Sequence, residues 1–405
     1  MHATCSPPDS PVATPALAGI AQLGFLLLFP GFFLYQTLIG MGVLGPFLGG
    51  YFAVVSIALA VPLGYGYFQA VRQARYRVAP TDIQFLFFLL YFLVVVLINA
   101  GFGADPVTVE THLLSILYFL NIYLVFKHVD FTQAKTMASA LLSLLAMTAL
   151  IFYLSEGGSF EPGRGAGATG AASLASYQGF ARSYTLTFIP VICFTRSATL
   201  RLVLYCLALA ALFLNGARSE LVAVLLLLPV VELYRARSRL FGLCVIVLLT
   251  TASAVLLQDL APYLPDSRIW ELFDLARSES AHARHDLTEQ ALRTIVQYPV
   301  LGDYASYQPG GYSHNLLSAW VDLGAFGFAY LLLMLVVSSA RLFVDGWRGR
   351  ARSSHFMLAW LLLWSSLFLL LTAKTFDDMF AGAAMGAYAN YQRQSWLARR
   401  HGRTA

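Results

Sequence analysis

The chain is 405 residues long, 58% hydrophobic and only 12% charged, with a mean hydropathy of +0.68. Soluble domains carry roughly 25% charged residues, so the two soluble domains that the length alone would allow are excluded. The formal charge of +5 is spread over arginines between apolar runs, which is a topology signal rather than a nucleic-acid footprint.

Apolar runs lie near 17–39, 47–69, 83–101, 112–126, 136–154, 178–195, 199–214, 219–234, 240–257, 315–339, 356–373 and 379–392. About 20 apolar residues span a bilayer as a helix. The expectation is therefore an all-α integral membrane protein of about twelve transmembrane helices, four of them short. The first run, Leu17 to Leu38, is long enough to remain as an anchor rather than a cleaved signal. With the N-terminus in the cytoplasm, 18 of the 26 Lys and Arg residues face the cytoplasm and 8 face outward. That division obeys the positive-inside rule and puts both termini in the cytoplasm. Cys193, Cys206 and Cys244 lie inside apolar runs without metal-like spacing, and they read as buried small hydrophobes.

Two outward loops stand out. Glu156 to Gln178 is rich in Gly, Ala and Ser and reads as flexible. The segment 258–313 is longer, and helical spacing recurs at Ile269, Leu272, Phe273 and Ala276 and again at Leu287, Ala291 and Ile295. These predict amphipathic helices at the membrane interface. The chain thus divides into 1–257 with nine helices, 258–313 as a periplasmic helical loop, and 314–405 with three helices and a cytoplasmic tail.

Ionisable groups near membrane depth are costly and are functional suspects. Arg218 follows Gly216 in the short turn "FLNGARSE" and lies two residues from Glu220. It reads either as an arginine snorkelling beside a local carboxylate or as an anchor for an anionic headgroup. Arg284 opens a loop helix that Pro299 ends, with Gly302 supporting the turn that follows. It is either a solvated charge or a group aimed at the membrane edge. His314, in "GGYSHNLLSAWVDLG", is expected with Asn315 in the first turn of the tenth helix, with Gly311 and Tyr312 as supporting residues. The positive end of the helix dipole disfavours an imidazolium. A neutral ring can act as a general base or simply cap the helix. Arg182 opens the sixth helix and is a candidate third phosphate contact. Asp377 and Asp378 adjoin Lys374 and read as a local ion pair rather than a metal site. Asp322 is eight residues beyond His314, about 12 Å along a helix axis, and reads as structural.

Three motifs together resemble the bacterial O-antigen polymerase and O-antigen ligase superfamily. They are the turn Gly216-Ala217-Arg218 opening an apolar helix, Arg284 ahead of Pro299 and Gly302, and His314-Asn315 with Leu317 followed by Gly324 and Gly327. An aromatic residue often follows the second arginine by four positions in that family, whereas Thr288 stands here. The resemblance implies a fold of the lipid-dependent glycosyltransferase type in the bacterial inner membrane, with its active site facing the periplasm. It implies a polyprenyl-diphosphate-linked glycan as donor and a glycan or lipid A-core as acceptor. It also implies an inverting reaction that uses neither metal nor cofactor, and a chain-length regulator protein among the partners. In that scheme Arg218 and Arg284, with Arg182 as a weaker third, hold the diphosphate, and His314 is the base.

Loop 258–313 carries four arginines against eight carboxylates. That balance leans toward a polymerase, because a ligase must dock a phosphate-bearing lipid. A transporter or flippase for lipid-linked oligosaccharide is the rival from another class. Against it, the long loop is outward and the one after the sixth helix is tiny.

Overall fold

The computed structural model describes residues 15–45, 50–73, 78–156, 158–160, 176–235, 279–307, 313–347 and 353–401. Its helices are α1 (Pro15–Leu26), a π-helical turn (Leu27–Gly31), α2 (Phe32–Gly40), α3 (Tyr51–Arg72), α4 (Pro80–Gly101), α5 (Pro106–His128), α6 (Ala134–Leu154), α7 (Tyr177–Phe194), α8 (Ala198–Leu214), α9 (Arg218–Arg235), α10 (Glu279–Gln297), α11 (Leu317–Trp347), α12 (Ser354–Thr372) and α13 (Met379–His401). A helix covers every predicted apolar run except the ninth, at 240–257, which lies outside the described residues. Among the described residues seven spans are long and apolar enough to cross a membrane, the first of them comprising α1 to α2. The chain is an all-α, multi-pass membrane protein.

The helix borders follow local chemistry. Pro30 cannot donate a backbone hydrogen bond and sits in the π-helical turn. The Tyr51 hydroxyl donates to the Leu27 carbonyl within that irregular segment. Asp105 accepts from the Thr108 amide at the start of α5, and Ser176, Ser197 and Ser353 do the same for α7, α8 and α12.

The centre of the bundle is α5 against α13, with α12 alongside. Gly382 and Gly386 let α13 approach closely, since a Cβ at Gly386 would collide with the Tyr123 carbonyl. Small residues four apart are how membrane helices gain contact where burial from water offers no driving force. This explains how α13, the weakest of the predicted spans, becomes one of the most buried helices: Phe380 to Tyr391 are all buried.

Several expectations are corrected. Part of the Gly-rich loop is ordered: Ser155–Glu156 pairs antiparallel with Ser159–Phe160. Phe160 is buried against Phe33 and Phe180, so one aromatic side chain overrides a flexible composition. Residues 161–175 lie outside the described residues, as does the loop helix expected around Ile269 to Ala276. Cys193 is buried, but Cys206 is exposed because it occupies the outward face of α8. Cys244 lies outside the described residues.

α10 begins five residues before Arg284 instead of at it. Its Ala291 and Ile295 pack against Val321 of α11, with Leu317, Trp320 and Tyr307 around them. The apolar face predicted for the membrane interface is thus partly spent on a neighbouring helix, while Leu292 and Val296 stay exposed.

The tenth apolar run is longer than expected and broken. α11 reaches Trp347 and has a left-handed residue at Gly324, with φ 71° and ψ 179°. The turn after α10 plugs this break. The Ala325 amide donates to the Val300 carbonyl at 3.0 Å, and the Asp303 amide donates to the Val321 carbonyl at 2.9 Å. The Trp320 indole donates to the Pro299 carbonyl at 2.8 Å, and the Tyr91 hydroxyl donates to the Leu323 carbonyl at 2.7 Å. Gly302, at φ 73°, and Gly324 face each other's backbone across the joint, where a Cβ on either would strike carbonyl oxygens. The glycines of two separate motifs are therefore two halves of one interlock.

Candidate active site

Helices α7, α9 and α11 start, and α12 ends, at the same end of the bundle. The ion pair from Arg182 to Asp378 and that from Glu220 to Lys374 tie three of these termini together. His314, close to Ala373 and Lys374, brings in the fourth.

His314 precedes α11 instead of lying in its first turn. The helix starts at Leu317, and Asn315 caps it: the Asn315 Oδ1 accepts from the Leu317 amide at 2.9 Å and from the Ser313 hydroxyl at 2.8 Å. A capping residue needs non-helical geometry, so His314 is displaced to the connection before it, half-buried. Its imidazole donates to the Ala373 backbone carbonyl. In a neutral ring, one nitrogen that donates leaves the other as an acceptor. Burial is the largest influence on the ring, followed by the positive charge of Arg284 and, more weakly, of Lys374. Together they outweigh the Ala373 hydrogen bond and push the His314 pKa down to about 4. The ring is neutral at pH 7, as the sequence suggested, but through desolvation and two cations rather than a helix dipole.

Arg284 is half-buried on α10. Thr288, which stands where an aromatic was expected, bridges this helix to the histidine segment. Its hydroxyl donates to the Arg284 carbonyl at 2.8 Å and accepts from the Asn315 side-chain amide at 3.2 Å.

Arg218 is the first residue of α9, after Gly216 at φ 70°. Asn215 secures the turn by donating to the Tyr177 carbonyl at 2.9 Å. One of the two sequence readings set Arg218 beside Glu220 as a local carboxylate, but Glu220 reaches Lys374 at 2.7 Å, with side-chain exposures of only 1% and 5%. Ser219 donates to the same carboxylate at 2.7 Å. The helix turn carries positions two apart toward different neighbours, which is why adjacency in sequence misled.

Arg182 pairs with Asp378 at 2.9 Å, so its charge is already compensated by a carboxylate. The local pair expected among Lys374, Asp377 and Asp378 does not form. Each goes to a distant helix: Lys374 to α9, Asp378 to α7, and Asp377 to Ser115 of α5 at 2.9 Å as well as to Thr375. Asp322 is structural as read: it accepts from the Ala305 amide at 3.1 Å and fixes the turn that plugs the α11 break. In the same turn burial pushes the Tyr307 hydroxyl up to about 12.

The structure thus brings His314 within electrostatic reach of Arg284 and Lys374, and Arg218 stands two residues before Glu220, the partner of Lys374. Gly311 and Tyr312 lie outside the described residues. The Glu220–Lys374 pair, the Thr288–Asn315 bridge and the Ala373 carbonyl are the connections the sequence did not reveal. A lone lysine directly after a long apolar helix was the one visible signal. Among the described residues no group of three His, Cys, Asp or Glu side chains is arranged to hold a metal ion. No protein-family model matches the chain, and no curated protein matches it either.

Proposed function

We propose that the protein is an inverting, metal-independent glycosyltransferase of the bacterial inner membrane that transfers a polyprenyl-diphosphate-linked glycan to an acceptor sugar on the periplasmic side, as a polysaccharide polymerase. About twelve spans and cytoplasmic termini belong to this reading. The observation that carries it is a neutral, half-buried imidazole with one nitrogen held by a backbone carbonyl and with an arginine and a lysine close by. Neutral bases beside permanent cations suit a reaction in which a hydroxyl loses its proton while an anion departs.

In the proposed step His314 takes the proton from the acceptor hydroxyl. That oxygen attacks the anomeric carbon from the face opposite the leaving group and forms the new glycosidic bond. The bond from the anomeric carbon to the phosphate oxygen breaks, and the polyprenyl diphosphate leaves with the electron pair. Arg218 and Arg284 hold the diphosphate through their planar forks. The acidic balance of segment 258–313 favours a neutral glycan over a phosphorylated lipid as acceptor.

Purified protein given a defined lipid-linked repeat, in detergent and without a gradient, is expected to lengthen the glycan. Product formed only on a lipid A-core acceptor would convert the reading to a ligase. No transfer to either would sink the enzyme reading in favour of transport. Arg218→Lys is expected to lower transfer by at least tenfold, because a point charge does not reproduce bidentate binding. Full activity of that variant would remove Arg218 from the mechanism.

A further inference from the structure

The most deeply buried charges at this end are not the two motif arginines. Glu220 and Lys374 are nearly inaccessible, 2.7 Å apart, and belong to segments, the start of α9 and the connection after α12, that meet only in the folded bundle. What flanks each of them gives the pair a purpose. Two residues before Glu220 stands Arg218, the first residue of α9. Immediately before Lys374 stands Ala373, whose carbonyl receives the His314 N–H. The Lys374 amide itself closes α12 by donating to the Leu369 carbonyl at 2.8 Å, as does that of Ala373. The segment is therefore held from both sides.

We infer that the Glu220–Lys374 ion pair is a positioning clamp for the candidate active site: it locks the start of α9, with Arg218, to the α12 terminus whose Ala373 carbonyl orients the His314 ring. This inference rests on the proposed transfer reaction for its purpose but not for its test.

Fixing one imidazole nitrogen as the donor leaves the other aimed as acceptor, a role that a free ring fills only part of the time. Moving the carbonyl would release the ring, and moving α9 would shift the first arginine by the same displacement. The groups facing His314 are Arg284 from α10 and Lys374 from the α12 terminus. Lys374 is in turn compensated by Glu220 of α9, to which Ser219 also donates. Neither Glu220 nor Lys374 is a catalytic residue in this scheme. They act through Arg218, His314 and Ala373.

The test is made on the full-length, donor-free protein in detergent, with histidine labelled by 15N and His314→Ala used to assign the signal. Ring nitrogen shifts report both the tautomer and the titration of His314. Glu220→Gln with Lys374→Gln removes both charges while leaving two amides that can hydrogen-bond, so the bundle keeps a partnered pair. In this double variant His314 is expected to titrate at lower pH, because the Ala373 hydrogen bond that is lost outweighs the positive charge removed with Lys374. Its tautomer signal becomes mixed, and glycan transfer falls at least tenfold in kcat. Lys374→Arg alone is expected to keep the titration and single tautomer of the parent. Unchanged ring shifts in the double variant overturn the clamp, whatever happens to transfer. If the parent protein transfers no glycan, the transferase reading fails, and the ring titration still decides whether the clamp exists.

Discussion

The two ends of the bundle both carry buried charge, and they use it differently. At the end opposite His314, Lys127 and Asp82 meet at 2.5 Å with side chains wholly inaccessible. The same carboxylate takes the Tyr123 hydroxyl and the Ala79 amide at 2.7 Å, and the ammonium lies 4.1 Å from the Tyr67 ring centre. Nearby, Arg201 forms a two-pronged contact with Glu232, to which Tyr205 also donates. These groups fasten helices. At the His314 end one pair is similarly sealed, but His314, Arg218 and Arg284 are half-exposed and Arg182 keeps 22% of its side chain accessible. Accessibility separates the sealed Lys127–Asp82 fastening from the groups around His314, where chemistry can occur.

This contrast can be broken most sharply at His314. His314→Ala is expected to cut glycan transfer by about 10²–10⁴-fold while the protein still inserts and folds. A variant with near-normal polymer would move the chemistry elsewhere. Lys127→Met should do the reverse. It leaves Asp82 buried without its cation, a loss of about 3–5 kcal/mol. Thermal unfolding in detergent should show the drop, and the added change Asp82→Leu should recover much of it. Transfer per folded molecule should be unaltered, and a specific loss of turnover would undo the assignment of this end to fastening.

A smaller effect is expected at the joint between the halves of α11. Gly324→Ala demands a left-handed backbone from a residue with a Cβ and sets that Cβ against the Val300 carbonyl. The cost should be of order 1–3 kcal/mol, seen as a lowered Tm. Because Asp303, Asp322 and Trp320 gather on the same joint, turnover should fall with it. The mildest test is acid. His314 is held near 4 against an ordinary value near 6.5, so the unfolded chain binds the extra proton first. Its contribution to stability is full above about pH 6.5 and is lost as pH falls toward 4, and the base stays in its active form over that window. Transfer should therefore lose its His314 contribution only near pH 4. An acid limb at 6.5 would mean a solvated ring.

Some of this could be read along the chain. Hydropathy alone located the described apolar helices, because the cost of burying backbone polar groups in lipid makes long apolar runs helical wherever they sit. The left-handed turns at Gly216 and Gly302 were legible for a similar reason: only glycine takes that backbone freely. His314, Arg218 and Arg284 could be nominated because charged and titratable groups at membrane edges are scarce.

What the sequence could not determine is which groups meet. Glu220 looked like the partner of Arg218 and belongs to Lys374, and Asp378 looked like the partner of Lys374 and belongs to Arg182. The break in α11 was invisible inside an apolar run, because Gly324 needs the Pro299–Gly302 turn beside it to make the break stable. Burial in lipid depends on composition, which each segment carries by itself. The pairing of charges depends on which helix ends share a layer, and only packing of the whole bundle, with α13 drawn against α5, settles that.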